Sequence, residues 1–109
     1  MDVWMTSVDS ALTVHITGEL DAVAVNHLRP MLEPIIEKAG SKLVVDIAGL
    51  KLIDSCGVGV LVYLFGRLRS SGRSFVVRGA TDQPLFILRL MKLDQVLMNA
   101  SVRAESRPA

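Results

Sequence analysis

The residues predict an α/β domain: a mixed sheet of four to five strands with helices packed on it. Three observations carry this. Segments with alternating or continuous aliphatic character take turns with segments whose apolar residues recur every three or four positions. Two of the aliphatic stretches, residues 43–47 and 75–77, are near-continuous, as strands buried on both faces are. The chain has 109 residues, half of them hydrophobic, enough for one packed domain and no more.

Each element has its own signal. Residues 3–7 form a short first strand. In residues 11–17, Leu12, Val14 and Ile16 face one way and Thr13, His15 and Thr17 the other, a strand with one buried face. Residues 7–10, with Asp9, make the hairpin turn between them. Gly18 breaks the second strand, and Asp21 is placed to cap a helix. Leu28, Met31, Leu32, Ile35, Ile36 and Ala39 form that helix's apolar stripe, and Gly40 ends it. Pro30 and Pro34 conflict with it, since an interior proline costs about 3 kcal/mol, so a kink or two short helices are expected there.

After the strand at 43–47 a loop is expected over residues 48–55. Residues 58–68 then read as a mostly buried helix with a basic last turn, stopped by Ser71 and Gly72. Residues 75–77 are a strand, and residues 83–91 a helix with Pro84 in its first turn. Residues 96–98 are expected to form a final short strand. Such alternation implies right-handed crossovers. The domain is expected to span residues 1–99. Residues 100–109 lose all periodicity and are expected to be a disordered tail.

Composition excludes several functions. Aromatics are 5% of the chain, so the core must be aliphatic. A net charge of +1, with Lys and Arg scattered, argues against nucleic acid, whose binders concentrate positive charge on one face. The single Cys56 can form no internal disulfide, and with only His15 and His27 no metal-ligand spacing exists. The N-terminus lacks the pattern of a signal peptide, and no apolar run is long enough to span a bilayer. A cytoplasmic protein without membrane insertion is expected.

Chemistry concentrates at residues 53–59. A phosphate-cradling loop fails there: Val62 stands where a third glycine is needed, and no Gly-Lys-Ser/Thr follows. A hydrolase elbow fails too, because Ile53 stands two residues before Ser55, where glycine is required. What remains is a serine at a helix start. Its simplest role, or that of Asp54, is an N-cap. A phosphate on Ser55 would sit by the helix N-terminus, where free N–H groups and the helix dipole favour negative charge. It would add about −1.5 to −2 charge, and it would lie beside Asp54.

The segment Ile53-Asp54-Ser55-Cys56-Gly57-Val58-Gly59-Val60-Leu61 is similar to the Asp-Ser-Ser-Gly-Leu-Gly segment of the anti-sigma factor antagonists, a STAS-domain family. Thr17-Gly18-Glu19-Leu20-Asp21 resembles the turn after that family's second strand, and the remaining elements fall in matching order. The resemblance implies a STAS fold and a binding module with no cofactor and no catalysis of its own. It implies Ser55 as phosphoacceptor. It implies an anti-sigma factor serine kinase as partner, which the unphosphorylated chain binds so that the sigma factor is released. A phosphatase acting on phospho-Ser55 would restore binding. Asp21, Asp54, Ser55, Cys56, Gly57 and Val58 are then expected on or near the partner surface.

Cys56 replaces the family's second serine and is expected to be a small buried residue. Trp4 is expected in the core or covering an edge, His15 exposed on its strand, and His27 solvated. Two other roles use the same residues. One is an accessory or regulatory subunit of a lipid-transport or stress-signalling complex, which the intact Asp54-Ser55 pair disfavours. The other is a small hydrolase built on Ser55.

Overall fold

A computed structural model of the chain describes residues 1–99. The tail expected at residues 100–109 lies outside the described residues. The elements are β1 (Asp2–Val8), β2 (Ala11–Leu20), α1 (Ala22–Lys38), β3 (Lys42–Asp46), β4 (Leu50–Ile53), α2 (Ser55–Ser70), β5 (Ser74–Arg78), α3 (Asp82–Leu90) and α4 (Asp94–Leu97). The five strands form one mixed sheet in the order β1-β2-β3-β5, with β4 paired to β2.

β1 and β2 are an antiparallel hairpin whose two-residue turn, Asp9 and Ser10, follows from the Val8–Ala11 pair. Asp9 takes the left-handed φ of 55° that the turn requires. β2 is longer than the alternation suggested. Gly18 does not end it: with φ of 92° it absorbs a register shift, and the strand resumes to Leu20. The first half of β2 pairs in parallel with β3, and the last three residues pair in parallel with β4.

β4 corrects the expected loop at 48–55. Its residues carry no strand period: Leu50 and Ile53 are buried while Lys51 and Leu52 between them are exposed. The expected strand at 96–98 is also corrected. Val96 and Leu97 instead end the short helix α4, with Met98 as its C-cap, and α4 seats Leu97 in the core. A three-residue apolar run carries no period by which to tell the two apart.

The expected break in the first helix is corrected as well. α1 runs unbroken over 17 residues, with Pro30 and Pro34 inside it. Both prolines are exposed, whereas Leu28, Leu32, Ile35 and Ile36 are buried. The carbonyls that lose their partners, those of Asn26 and Pro30, belong to exposed residues that water reaches. Any bend is convex to solvent, the sense in which surface helices already curve. The helix ends at Lys38. Gly40 matters for another reason: a Cβ there would lie 2.3 Å from the Ser10 carbonyl oxygen.

The core lies on one side of the sheet. Leu12, Val14 and Ile16 of β2, with Leu43, Val45, Phe75 and Val77, join the inner faces of the helices in one buried cluster. The other side carries a polar ladder across four strands. The Trp4 ring, 48% exposed, stacks on His15 at 5.1 Å, so Trp4 covers the sheet surface rather than entering the core. His15 is only partly exposed: Thr6 Oγ1 lies 3.1 Å from its Nε2 and Asp46 Oδ2 lies 3.5 Å from its Nδ1. Arg78 donates to the same Asp46 oxygen at 3.3 Å, and the Ala48 N–H to the other at 2.9 Å. Burial pushes the Asp46 carboxyl up, but the Ala48 amide and the Arg78 guanidinium outweigh it, so it titrates below the usual carboxylate range.

Candidate functional site

Two parallel strands, β2 and β4, end side by side at the paired residues Leu20 and Ile53. Each is followed by an aspartate, and each aspartate starts a helix. Asp21 caps α1, its Oδ1 accepting from the Ala24 N–H at 3.0 Å. Asp54 caps α2, its Oδ1 accepting from the Cys56 N–H at 2.9 Å and the Gly57 N–H at 3.1 Å. The Asp54 N–H in turn reaches the Leu20 carbonyl at 3.3 Å. The sheet register therefore brings Asp21 and Asp54, 33 positions apart in sequence, to neighbouring corners of one surface.

Ser55 is the first residue of α2. It is exposed, and its hydroxyl has no hydrogen-bond partner among the described residues. Asp54, not Ser55, does the capping, so the serine is free of structural duty. The free hydroxyl projects at the positive end of a 16-residue helix.

Gly57 and Val58 lie beneath this surface. Val58 is 3% exposed and belongs to the core. At Gly57 a Cβ would lie 2.5 Å from the Leu20 carbonyl oxygen and 2.6 Å from Ile53 Cγ1. Only glycine lets the start of α2 rest directly on the strand ends. Cys56 corrects the expectation of burial: it is exposed. The inner stripe of α2 is Gly57, Val58, Leu61, Leu64 and Leu68, which faces the sheet. Position 56 instead shares a stripe with Gly59, Val60 and Tyr63, turned toward α1 across an open groove.

Gln83 was not singled out by its sequence context. Its side chain, partly buried, accepts from the Ile53 N–H at 2.9 Å and donates to the Ile53 carbonyl at 3.0 Å. One primary amide thus replaces a neighbouring strand along the free edge of β4, one residue before Asp54. No local pattern marks such a residue, because its partner is 30 positions away. His27, as expected, is exposed. Among the described residues no group of three or more His, Cys, Asp or Glu side chains is arranged to hold a metal ion, and no helix is long and apolar enough to cross a membrane.

The family model described as the STAS domain matches residues 3–106. The anti-sigma-B factor antagonist of Listeria monocytogenes is 27% identical over 94 residues, covering 86% of this chain and 82% of that protein. Among solved structures, a putative anti-sigma factor antagonist from Thermotoga maritima superposes with a TM-score of 0.80 at 20% identity, over 94% of this chain and 92% of that one. SpoIIAA of Bacillus in its phosphorylated form superposes with a TM-score of 0.70 at 19% identity, over 97% of this chain and all of that one.

Proposed function

This chain belongs to the STAS domain family, and from that premise we propose that it is an anti-sigma factor antagonist switched by phosphorylation of Ser55. It binds an anti-sigma factor serine kinase through the surface around Asp21, Asp54, Ser55 and Cys56, with Gly57 and Val58 supporting that surface from below. The sigma factor is released in consequence. The protein is a kinase substrate and not an enzyme: ATP and Mg²⁺ belong to the partner. Phosphate on Ser55 ends the binding, and a phosphatase acting on phospho-Ser55 restores it.

The observation that carries this reading is the division of labour at the start of α2. Asp54 holds the cap through two N–H groups, and the next residue, Ser55, offers an exposed, unengaged hydroxyl. A phosphate there would leave every hydrogen bond of the fold in place. It would turn a formal net charge of +1 slightly negative, since a phosphoserine carries about −1.5 to −2. The added charge would fall next to the Asp54 carboxylate. A hydrated dianion in the middle of a contact surface must be desolvated on binding, and that cost opposes the complex. The name of the Listeria relative and the phosphorylated form of SpoIIAA support the same reading.

The test is direct. The protein is incubated with ATP, Mg²⁺ and candidate anti-sigma kinases from the same cell, and any phosphate is mapped by mass spectrometry. Ser55→Ala runs alongside, with a pull-down on each. Phosphate is expected on Ser55 alone, with binding lost on phosphorylation and kept in Ser55→Ala. No phosphate with any kinase, together with stable binding to a transporter subunit or a larger assembly, would replace this reading with an accessory STAS role.

A further inference from the structure

Next to Ser55, α1 and α2 separate to leave a groove of about 460 Å³, within the range of sites that hold a small ligand or a few side chains. Its floor is aliphatic: Val25, Leu32 and Val60, all buried. Cys56, the residue that follows Ser55, lines one end of it. Part of its wall is missing. A Cβ added at Gly59 would meet nothing within 4 Å.

The charges of the groove do not cancel. At the far end Glu33 is paired with Arg67. Its Oε2 accepts from Arg67 Nη1 and from the Tyr63 hydroxyl, both at 2.6 Å, and those bonds hold its carboxyl below the usual range. Arg29, on the same groove, has neither an ion pair nor a hydrogen bond among the described residues. The groove therefore presents an aliphatic floor beside one unspent guanidinium. The complementary group is an aliphatic side chain flanked by a carboxylate, which a guanidinium fork can bind through two parallel hydrogen bonds.

We propose that this groove is a second half of the partner surface, and that the anti-sigma kinase seats an aliphatic side chain and a neighbouring carboxylate in it, the carboxylate on Arg29. This rests on the function proposed above. The occupant is a partner segment because the end of the groove lined by Cys56 adjoins Ser55, so that a partner seated at the Ser55 hydroxyl stands next to the groove. The assignment gives the switch its sign. A phosphate on Ser55 puts negative charge at that end of the groove, near where the partner brings its own.

The experiment uses the full chain and the kinase found to phosphorylate Ser55. Affinity is measured by calorimetry, and KM and kcat for Ser55 phosphorylation are measured separately. Arg29→Ala is expected to weaken binding about tenfold, and Arg29→Glu about a hundredfold or more. Gly59→Met, whose Cβ would meet nothing within 4 Å and whose longer side chain would occupy the groove, should also weaken it at least tenfold. Gly66→Met, on the same helix with open space around it, is the control and should bind as wild type does. KM should rise in step while kcat stays within twofold, and thermal unfolding confirms that each variant is folded. Binding within twofold of wild type for both Arg29→Glu and Gly59→Met overturns the inference and leaves the proposed function standing. If those two variants instead change the sedimentation of the free chain, the occupant is a second copy, and the inference is equally overturned. If the wild-type chain binds no anti-sigma kinase, the proposed function fails first and this inference falls with it.

Discussion

At the start of α2 two adjacent side chains have different tasks, and their substitutions should separate cleanly. Asp54 satisfies two N–H groups that the helix itself leaves without partners. Asp54→Ala should lower stability by about 1 kcal/mol, and Asp54→Ser should restore most of it, because serine also caps. Urea unfolding of the three proteins checks this. Equal stability for Asp54→Ala and wild type would show that the cap contributes nothing. Asp46 makes a second prediction, on pH. Its carboxyl titrates lower in the folded chain than the value of about 3.9 expected when unfolded. The stability it contributes is therefore complete above that value and is lost as pH falls through the lower, folded one. Asp46→Asn keeps the shape but not the charge facing Arg78 and His15. It should destabilise the chain by up to about 1 kcal/mol at pH 7 and have no effect once both forms are uncharged. Urea midpoints across pH for the two proteins would show the curves converging in acid; parallel curves would refute the assignment. Cys56 shows the limit of reasoning by residue type. Free cysteines are usually buried, but its place on the helix, one step off the inner stripe, decides its exposure.

Among the elements, β4 depends most on its neighbours. It has four residues, pairs with β2 along one edge, and is completed on the other by the side chain of Gln83. Gln83→Leu keeps the volume and removes both hydrogen bonds. It should leave the Ile53 N–H and carbonyl unpaired and cost about 1–3 kcal/mol. Hydrogen exchange should quicken at the Ile53 amide ahead of global unfolding, and unchanged protection there would show that Gln83 is not needed. α1 shows a similar dependence. Its C-terminal carbonyls at Ile36 and Ala39 accept from Arg73, which lies beyond α2 in sequence. α2 closes on its own terms: Gly72, at φ of 73°, lets the Arg73 N–H reach the Leu68 carbonyl at 2.9 Å. That stop was readable, because a glycine after a basic last turn needs no distant partner. The prolines of α1 were readable only as a conflict. What resolves it is the side of the helix they occupy relative to a core that the local sequence does not contain.

Across the whole molecule the site exists because the sheet brings two helix starts together. Gly57 makes that contact possible, and Gly59, two residues on, has open space around it. Alanine should therefore act with opposite sign at the two positions. Gly57→Ala forces a methyl against the Leu20 backbone and should cost about 1–3 kcal/mol or more. Gly59→Ala should stabilise by about 1 kcal/mol, as alanine does for glycine inside an exposed helix. Denaturant unfolding of both variants decides this, and the same sign at both would mean that the packing of α2 on β2 is not as described. The sequence alone determined the α/β class, the β1–β2 hairpin, the strands β3 and β5, the places of the three longer helices, and Asp21 as a helix cap. Each of these rests on periodicity, caps and turn residues, which act over a few positions of the chain. Local spacing marked Asp54 or Ser55 only as a helix cap; the role proposed for Ser55 came from the resemblance of residues 53–61 to the anti-sigma factor antagonists. Only the tertiary structure decided the continuity of α1, the existence of β4, the exposure of Cys56, the bracing by Gln83 and Arg73, and the groove with its free Arg29. Those features depend on which surfaces meet across 30 or more positions, and nothing within a few residues of each one carries that information.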